Sequence, residues 1–533
     1  VKDGVSRYEQ RVGAIARTGA DADLRKGLIG LEKEALRVSH SGTISAEPHP
    51  AAFGSALTHP CITTDFSEAL LELITPALPS GAGALAFLGD LHAFVHEHLR
   101  GELLWAASMP CVLDGARSIP LARYGTSNAG LMKTVYRRGL GNRYGRVMQV
   151  IAGVHYNFSF ADDFWSAFRE LEGGGEDALH FRSEGYMALV RNLQRFGWLI
   201  PYLFGASPAV CKSFIQGSPT DLEELDAATY YYPYATSLRM GDIGYQNRQT
   251  EGAGMKASYD SLDAYIRSLT WAIETPCPFY EGIGVKVGDR YEQLNANVLQ
   301  IENEYYSTVR PKQPLEGFEK PTLALRRRGV RYVEVRSLDV DAFEPLGVSG
   351  DQLRFLDTFA RFCLLWESPR ISPRERRAID DNQVLAAQRG RDPGLELERH
   401  GRGISLRSWA LELLEAMEPM AELMDGGGAG VHRRALLSQR EKVLEPDLTP
   451  SARMIAEMRA NKEGFFHFAR RVSETHRDHF LGRQIDPDRR AHLERLSAES
   501  LSRQAAIESG DSVGFDEFLD RYFSQTEPSP AYG

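Results

Sequence analysis

Hydrophobic and polar positions recur along the chain in two periods, and the switches between them mark its elements. From residue 5 to 16, Tyr8, Val12 and Ile15 return at helical spacing, which predicts a helix. Gly27 and Gly30 bracket the change to a strand, GLEKEALRV, in which Glu32 and Glu34 share one face. A Ser41-Gly42 turn and a Pro-rich loop lead to TTDFSEALLELITP, residues 63–76. Period alone leaves that stretch ambiguous, but Thr63, Thr64 and the Pro76 stop favour a strand through ELIT. Glu72 then lies on one face with Leu70 and Ile74, at a rim or as a liganded carboxylate. GALAFLGDLHAFVHEHL is an amphipathic helix; His92 and His96 are four apart on it, without the Glu of an HExxH motif, and read as solvated face.

Alternation returns in VMQVIAGVHYNFSF, with His155, Asn157 and Ser159 on one face and Val154, Tyr156 and Phe158 on the other. It returns again in a predicted strand pair, where Gln293, Asn295 and Asn297, then Gln300, Glu302 and Glu304, take the polar face. RYVEVRSLDVDAF sets Tyr332, Glu334 and Arg336 against Val333 and Val335. A Glu and an Arg two apart form either an ion pair or, beside other acids, a metal ligand and a phosphate clamp. Strands polar on one face and apolar on the other suit an antiparallel sheet, with helices on its apolar side and a concave polar site on the other. From Gln352 onward the pattern is helical. The expected organisation is a catalytic sheet region over 1–350, a supporting helical region over 351–525, and a disordered tail over 526–533.

Composition changes this picture little. The chain has 533 residues, 43% of them hydrophobic, and a formal net charge of -10. That balance argues against a nucleic-acid surface and leaves small anions open. No apolar run is long enough to span a bilayer, so neither membrane nor nucleic acid is an expected partner. Five scattered cysteines (Cys61, Cys111, Cys211, Cys277, Cys363) give no zinc pattern or disulfide framework, and reduced thiols in a cytoplasm are expected. Arg123, Lys133, Arg137, Arg138, Arg143 and Arg146 crowd into one stretch, either to receive a carboxylate or phosphate or as a solvated helix face.

The chemistry follows from residue types. Glu32 and Glu34, with Asp65, Glu68 and Glu72 soon after, need a cation or proton between them, and hard divalent ions take such oxygens. GxxxxGK[ST], strand-linked GxGxxG and GxSxG are absent, and nothing marks a covalent nucleophile. Carboxylate-held Mg²⁺ with arginine clamps suits phosphoryl transfer, and no protein nucleophile is needed when an acceptor carboxylate is phosphorylated and an amine then displaces phosphate. A two-metal phosphohydrolase or nuclease, and a non-enzymatic binding protein with solvated polar strands, are the alternatives.

Several blocks in order resemble bacterial glutamate–cysteine ligases of the proteobacterial type. They are GLEKEALRV, LTHPCITTDFSEALLELITP, LARYGTSN with KTVYRRGLGNRYG, GVHYNFSF, FGWLIPYLFGASPAV, YATSLRMGDIGY, NVLQIENEYYSTVRPK and YVEVRSLDVDAFEPLGV. The resemblance implies an α+β fold similar to glutamine synthetase, with a curved antiparallel sheet forming a funnel and helices outside. It implies ATP-dependent joining of L-glutamate to L-cysteine through γ-glutamyl phosphate, the first step of glutathione biosynthesis. By the same resemblance Glu32, Glu34, Asp65, Glu72, His155 and Glu334 hold Mg²⁺ (or Mn²⁺), with more than one ion per site. Glu34, His155 and Arg336 serve the nucleotide end, and Glu334 and Arg336 are catalytic, with Arg336 on the transferring phosphoryl group. Tyr136, Tyr245 and Tyr306 lie near the cysteine side chain and Arg239 near a substrate carboxylate. A cytoplasmic monomer inhibited by glutathione is the corresponding expectation.

Overall fold

The computed structural model describes residues 2–110, 112–175, 177–244 and 255–526. Its centre is a seven-stranded sheet. The strands are β1 (Gly27–Ser39), β2 (Ile62–Thr64), β3 (Leu70–Ile74), β4 (Glu102–Leu104), β5 (Gly153–Phe160), β6 (Val309–Lys312) and β7 (Tyr332–Asp339). They run in the order β6-β7-β5-β1-β3-β2, with β4 also paired to β1, and every pairing is antiparallel. The register sets Glu32 opposite His155, Glu34 opposite Glu72, and Glu334 opposite Asn157. Because side chains alternate, this one register sends all of those polar groups to the same face. The β5–β7 register shifts between Val335 and Leu338, an irregularity that spans Arg336 and Ser337.

The opposite face is apolar, lined by Leu31, Tyr156, Phe158 and Val333, all buried. Helices α1 (Gly81–His98), α3 (Ala178–Phe196) and α4 (Gly350–Leu365) close it, while α2 (Asn128–Tyr144) flanks the polar side. A capping box starts α4, with Ser349 and Gln352 bonding each other's backbone. From it Arg361, fully buried, reaches Leu24 O at 2.7 Å and lies 4.8 Å over the Phe158 ring. The guanidinium thus ties a carbonyl before β1 to the aromatic face of β5.

Three expectations fail here for clear reasons. Residues 293–301 form no strand, and Glu302–Glu304 is a 3₁₀ turn. Their polar side chains bond nearby backbone instead: Asn295 Oδ1 accepts from Asn297 N at 3.0 Å, and Glu304 Oε2 from Gln300 N at 2.7 Å. Local bonding of that kind competes with a sheet ladder. His92 and His96 are buried rather than solvated, because α5 (Phe465–Leu481) crosses α1 and stacks Phe480 on both rings at 4.8 and 5.3 Å. The five cysteines are not all reduced either: Cys211 is disulfide-bonded, while Cys61, Cys277 and Cys363 are free and buried. Burial of the thiols said nothing of pairing, which depends on contacts between distant segments.

The end of the chain returns to the site side. α6 (Pro487–Gly510) and α7 (Phe515–Phe523) bracket α2. Asp511 accepts from Asn128 N at 2.6 Å, and Val513 O accepts from Asn128 Nδ2 at 3.0 Å, so the start of α2 is held from outside. Val135, Leu294 and Leu519 form a small separate core with Tyr136 packed on it. Of the expected tail, residues 527–533 lie outside the described residues.

Replacing Leu519 with Ala removes the centre of that small core. We expect a loss of about 2–5 kcal/mol and faster amide exchange confined first to Asn128–Tyr144, read by hydrogen-exchange mass spectrometry.

The buried histidines set an acid limit. Burial holds His96 down to about 3, against an ordinary 6.5. The unfolded chain therefore takes up this proton near its ordinary value while the folded chain resists, so stability falls as pH drops from about 6.5 toward 3. His96→Phe is expected to flatten the dependence of unfolding free energy on pH by about one proton across that window, measured by denaturant titration at several pH values.

Candidate active site

The polar face of the sheet gathers acids from three strands and one turn around one imidazole. Glu32 on β1 accepts from His155 Nδ1 at 3.0 Å through one carboxylate oxygen. Through the other it accepts from Asn157 Nδ2 at 2.8 Å, which fixes its orientation. Glu34 accepts from Gly153 N at 2.6 Å and brings its other oxygen within 3.8 Å of His155 Nε2. Glu334 on β7 accepts from Arg336 Nη1 at 3.1 Å and lies 3.8 Å from His155 Nδ1 and 3.6 Å from Lys312 Nζ. Ligand atoms of Glu32, Glu72 and His155 all lie within 4.8 Å of one another. Asp65, in the turn between β2 and β3, faces the same space, with Arg137 of α2 3.8 Å from its carboxylate and bonded to its backbone carbonyl.

The electrostatics are unbalanced in a consistent direction. Burial, then the charges of Glu32, Asp65 and Glu34, raise Glu72 well above the usual carboxylate range. Burial likewise raises Glu34. Burial works the same way on Glu32 and Glu334, but is outweighed, for Glu32 by the His155 hydrogen bond and for Glu334 by Lys312, Arg336 and His155, so both titrate low. Arg336 is held protonated despite burial by Glu334, Glu34, Glu32 and Asp65. Among the described residues, Glu334 Oε2 and His155 Nε2 are buried with no hydrogen-bond partner. An uncommitted carboxylate oxygen and an uncommitted imidazole nitrogen, beside a carboxyl forced toward neutrality, make a donor set suited to a divalent cation.

The remaining predicted residues ring this centre. Arg239, buried, donates to Arg336 O at 2.8 Å and lies 3.8 Å from Asp339, whose oxygens accept from Ser207, Ser237 and Ala206 N. A Cβ on Gly153 would collide with the Arg239 guanidinium, so glycine there admits it to the floor of the site. Tyr306 donates to Met240 Sδ at 3.6 Å, next to Arg239. Tyr136 projects from α2 toward Asp65 on one side and Arg310 on the other, and its backbone carbonyl is held by Gln300 Nε2 at 3.2 Å. Tyr245 lies outside the described residues.

The structure adds Lys312 and Arg310, on an edge strand whose Pro311 reads in the sequence as the end of a run. Their alternation about Pro311 was the available signal: both side chains fall on the polar face, and Arg310 pairs in register with Glu334. It also resolves the basic stretch. Arg143 is a buried structural partner of Glu304 at 2.9 Å, stacked on Tyr280, while Lys133 and Arg137 face the acids. A cavity of about 1220 Å³ lined by Trp366, Trp409, Arg195 and Glu375 lies among the helices and includes none of these residues.

Comparison with known proteins agrees with this geometry. The family model described as glutamate-cysteine ligase matches residues 12–385. The glutamate–cysteine ligase of Alcanivorax borkumensis is 48% identical over 525 residues, covering 97% of this chain and 100% of its own length. That of Azotobacter vinelandii is 47% identical over 520 residues, covering 97% and 98%. Among solved structures, the glutamate–cysteine ligase of Francisella tularensis in complex with AMP superposes with a TM-score of 0.88 at 36% identity, covering 93% of this chain and 97% of that one. A bifunctional glutathione synthetase from Pasteurella multocida gives 0.70 at 25% identity, covering 88% of this chain and 55% of that one. The α+β, glutamine-synthetase-like fold expected from the sequence is the one observed. The chain belongs to the glutamate–cysteine ligase family.

Proposed function

We propose that this chain joins the γ-carboxylate of L-glutamate to the amine of L-cysteine, using ATP, through γ-glutamyl phosphate. The observation that carries this reading is the convergence of Glu32, Glu72 and His155 on one point beside Arg336, within a chain of this family. Glu32, Glu34, Asp65, Glu72, His155 and Glu334 would hold Mg²⁺, or Mn²⁺ in its place, at more than one position. The metal would supply positive charge to screen the nucleotide's phosphates.

The chain's own groups do the rest. Arg336, kept charged by the surrounding acids, offers its Nε, which has no hydrogen-bond partner among the described residues, to oxygens that gain charge in phosphoryl transfer. Glu334 holds that guanidinium in place, and Arg239 donates to the Arg336 backbone carbonyl beneath it. The attacking carboxylate belongs to the substrate, which accounts for the lack of a protein nucleophile. Arg239, Tyr136 and Tyr306 border the space left for the amino acids, and Tyr245 is assigned there on the family resemblance alone. Residues 351–525 support the catalytic region 1–350. Glutathione, which contains the product's γ-glutamylcysteine unit, is expected to compete for the same space. Among the described residues no helix is long and apolar enough to cross a membrane; a cytoplasmic monomer fits this reading.

The test is ADP release in a coupled assay, which should require glutamate and cysteine together. Release without amino acids would instead favour a phosphohydrolase. Glu32→Gln removes a charge without altering size. It should abolish turnover and weaken Mn²⁺ binding by at least tenfold in titration calorimetry while circular dichroism stays native; normal turnover would exclude the metal role. Arg336→Lys keeps charge but loses the fork, so ATP binding should persist while transfer slows about a hundredfold or more.

A further inference from the structure

The ligation leaves one proton unassigned. Cysteine arrives as an ammonium, which has no lone pair to attack the acyl phosphate, so a group in the site must first accept a proton. Most acids near Arg336 are already committed: Glu32 to His155 and Asn157, Glu34 to Gly153, Glu334 to Arg336.

Lys133 is placed differently. It lies on α2, three and four residues before Tyr136 and Arg137, and so on the same helix face. Its side chain reaches solvent, yet its Nζ has no carboxylate within 4.0 Å among the described residues. Its Nζ lies 5.1 Å from the ring of Tyr124, which Arg137 also occupies at 4.6 Å. Two cations share one aromatic ring, and Asp65 lies 3.8 Å from Arg137, so Lys133 is the less compensated of the two. The groups that face it are Tyr124 from the loop before α2, Arg137 from α2 itself and Glu72 from β3.

We propose that Lys133 is the base that takes the proton from the incoming amino acid's ammonium. This rests on the reaction proposed above. The neutral Nζ accepts one proton, and the freed lone pair forms the C–N bond at the γ-carbonyl carbon. The C–O bond to phosphate breaks with its electron pair, and the departing phosphate takes the second N–H proton, leaving the amide. Protein packed around the Lys133 amine, and then the Arg137 charge, lower its ammonium below the usual lysine range against the pull of Glu72, in the direction that favours the neutral base.

Hydroxylamine tests this, because it is mainly neutral at pH 7 and needs no base. Wild-type protein with glutamate, ATP and hydroxylamine should yield γ-glutamyl hydroxamate; its absence would overturn the proposed reaction rather than the role of Lys133. Given that product, Lys133→Met should lose about a hundredfold or more in kcat/KM for cysteine while hydroxamate formation falls less than threefold. Lys133→Arg, which keeps charge and length but cannot release a proton, should lose as much as the Met variant. Raising pH should restore the Met variant with cysteine by about tenfold per unit, as free amine accumulates, whereas wild type levels off. Equal losses with both acceptors, or a Lys133→Arg protein that works with cysteine, would overturn the proposal.

Discussion

Across β1 and β3 the backbone register sets Glu34 directly opposite Glu72, and across β1 and β5 it sets Glu32 opposite His155. Two carboxylates at cross-strand spacing repel by roughly 4 kcal/mol at an effective dielectric near 20. A sheet does not adopt such a register for its own stability. It is held by what lies beneath: Leu31, Phe158 and Val333 are buried on the other face, and a one-residue slip would exchange every acid with an apolar side chain. The repulsion is then relieved piecemeal. His155 and Asn157 bind Glu32, Gly153 N binds Glu34, Arg336 and Lys312 flank Glu334, and Glu72 is left to favour a proton. The acid left to favour a proton is itself one of the three residues whose ligand atoms cluster.

Much of this was legible because a period of two is a strong constraint. Glu32 with Glu34, His155 with Asn157, and Glu334 with Arg336 could each be assigned to one face before any strand was paired with another. What periodicity does not carry is which strands are neighbours, so the cross-strand partners had to come from the structure or from family resemblance. The same rule misled at Gln293–Glu304, where amides and carboxylates alternate but spend themselves on adjacent backbone. It also hid β6, because Pro311 cannot donate to a ladder and made Arg310 and Lys312 look like the end of a strand. His92 and His96 were misread for a different reason: the helix that covers them begins more than 350 residues later, and a helix face cannot announce a partner so distant.

The helices after Gly350 bear on the chemistry through position. The polar face must stay open to admit substrates, so stability has to come from the other side, where α4 and α5 supply it. α2 has no such backing from the sheet. It stands over the mouth of the site with Lys133 and Arg137 turned inward, and its outer surface meets Leu519 and the segment around Asp511 and Val513. Substrate-facing groups on α2 are therefore oriented by the last residues of the chain.

That arrangement separates two kinds of precision. The acids on β1, β3 and β7, and His155 on β5, are fixed by hydrogen-bonded strands, whose spacing cannot change without breaking the sheet. The groups on α2 are fixed by side-chain packing and a few capping bonds, which yield at lower cost. A metal–phosphate centre needs the first kind, because charge must be placed before the transition state forms. An acceptor amino acid has to enter, react and leave as a larger product, which favours walls of the second kind. The division of the site between a rigid sheet and a docked helix matches the division of the proposed reaction into phosphoryl transfer and amine capture.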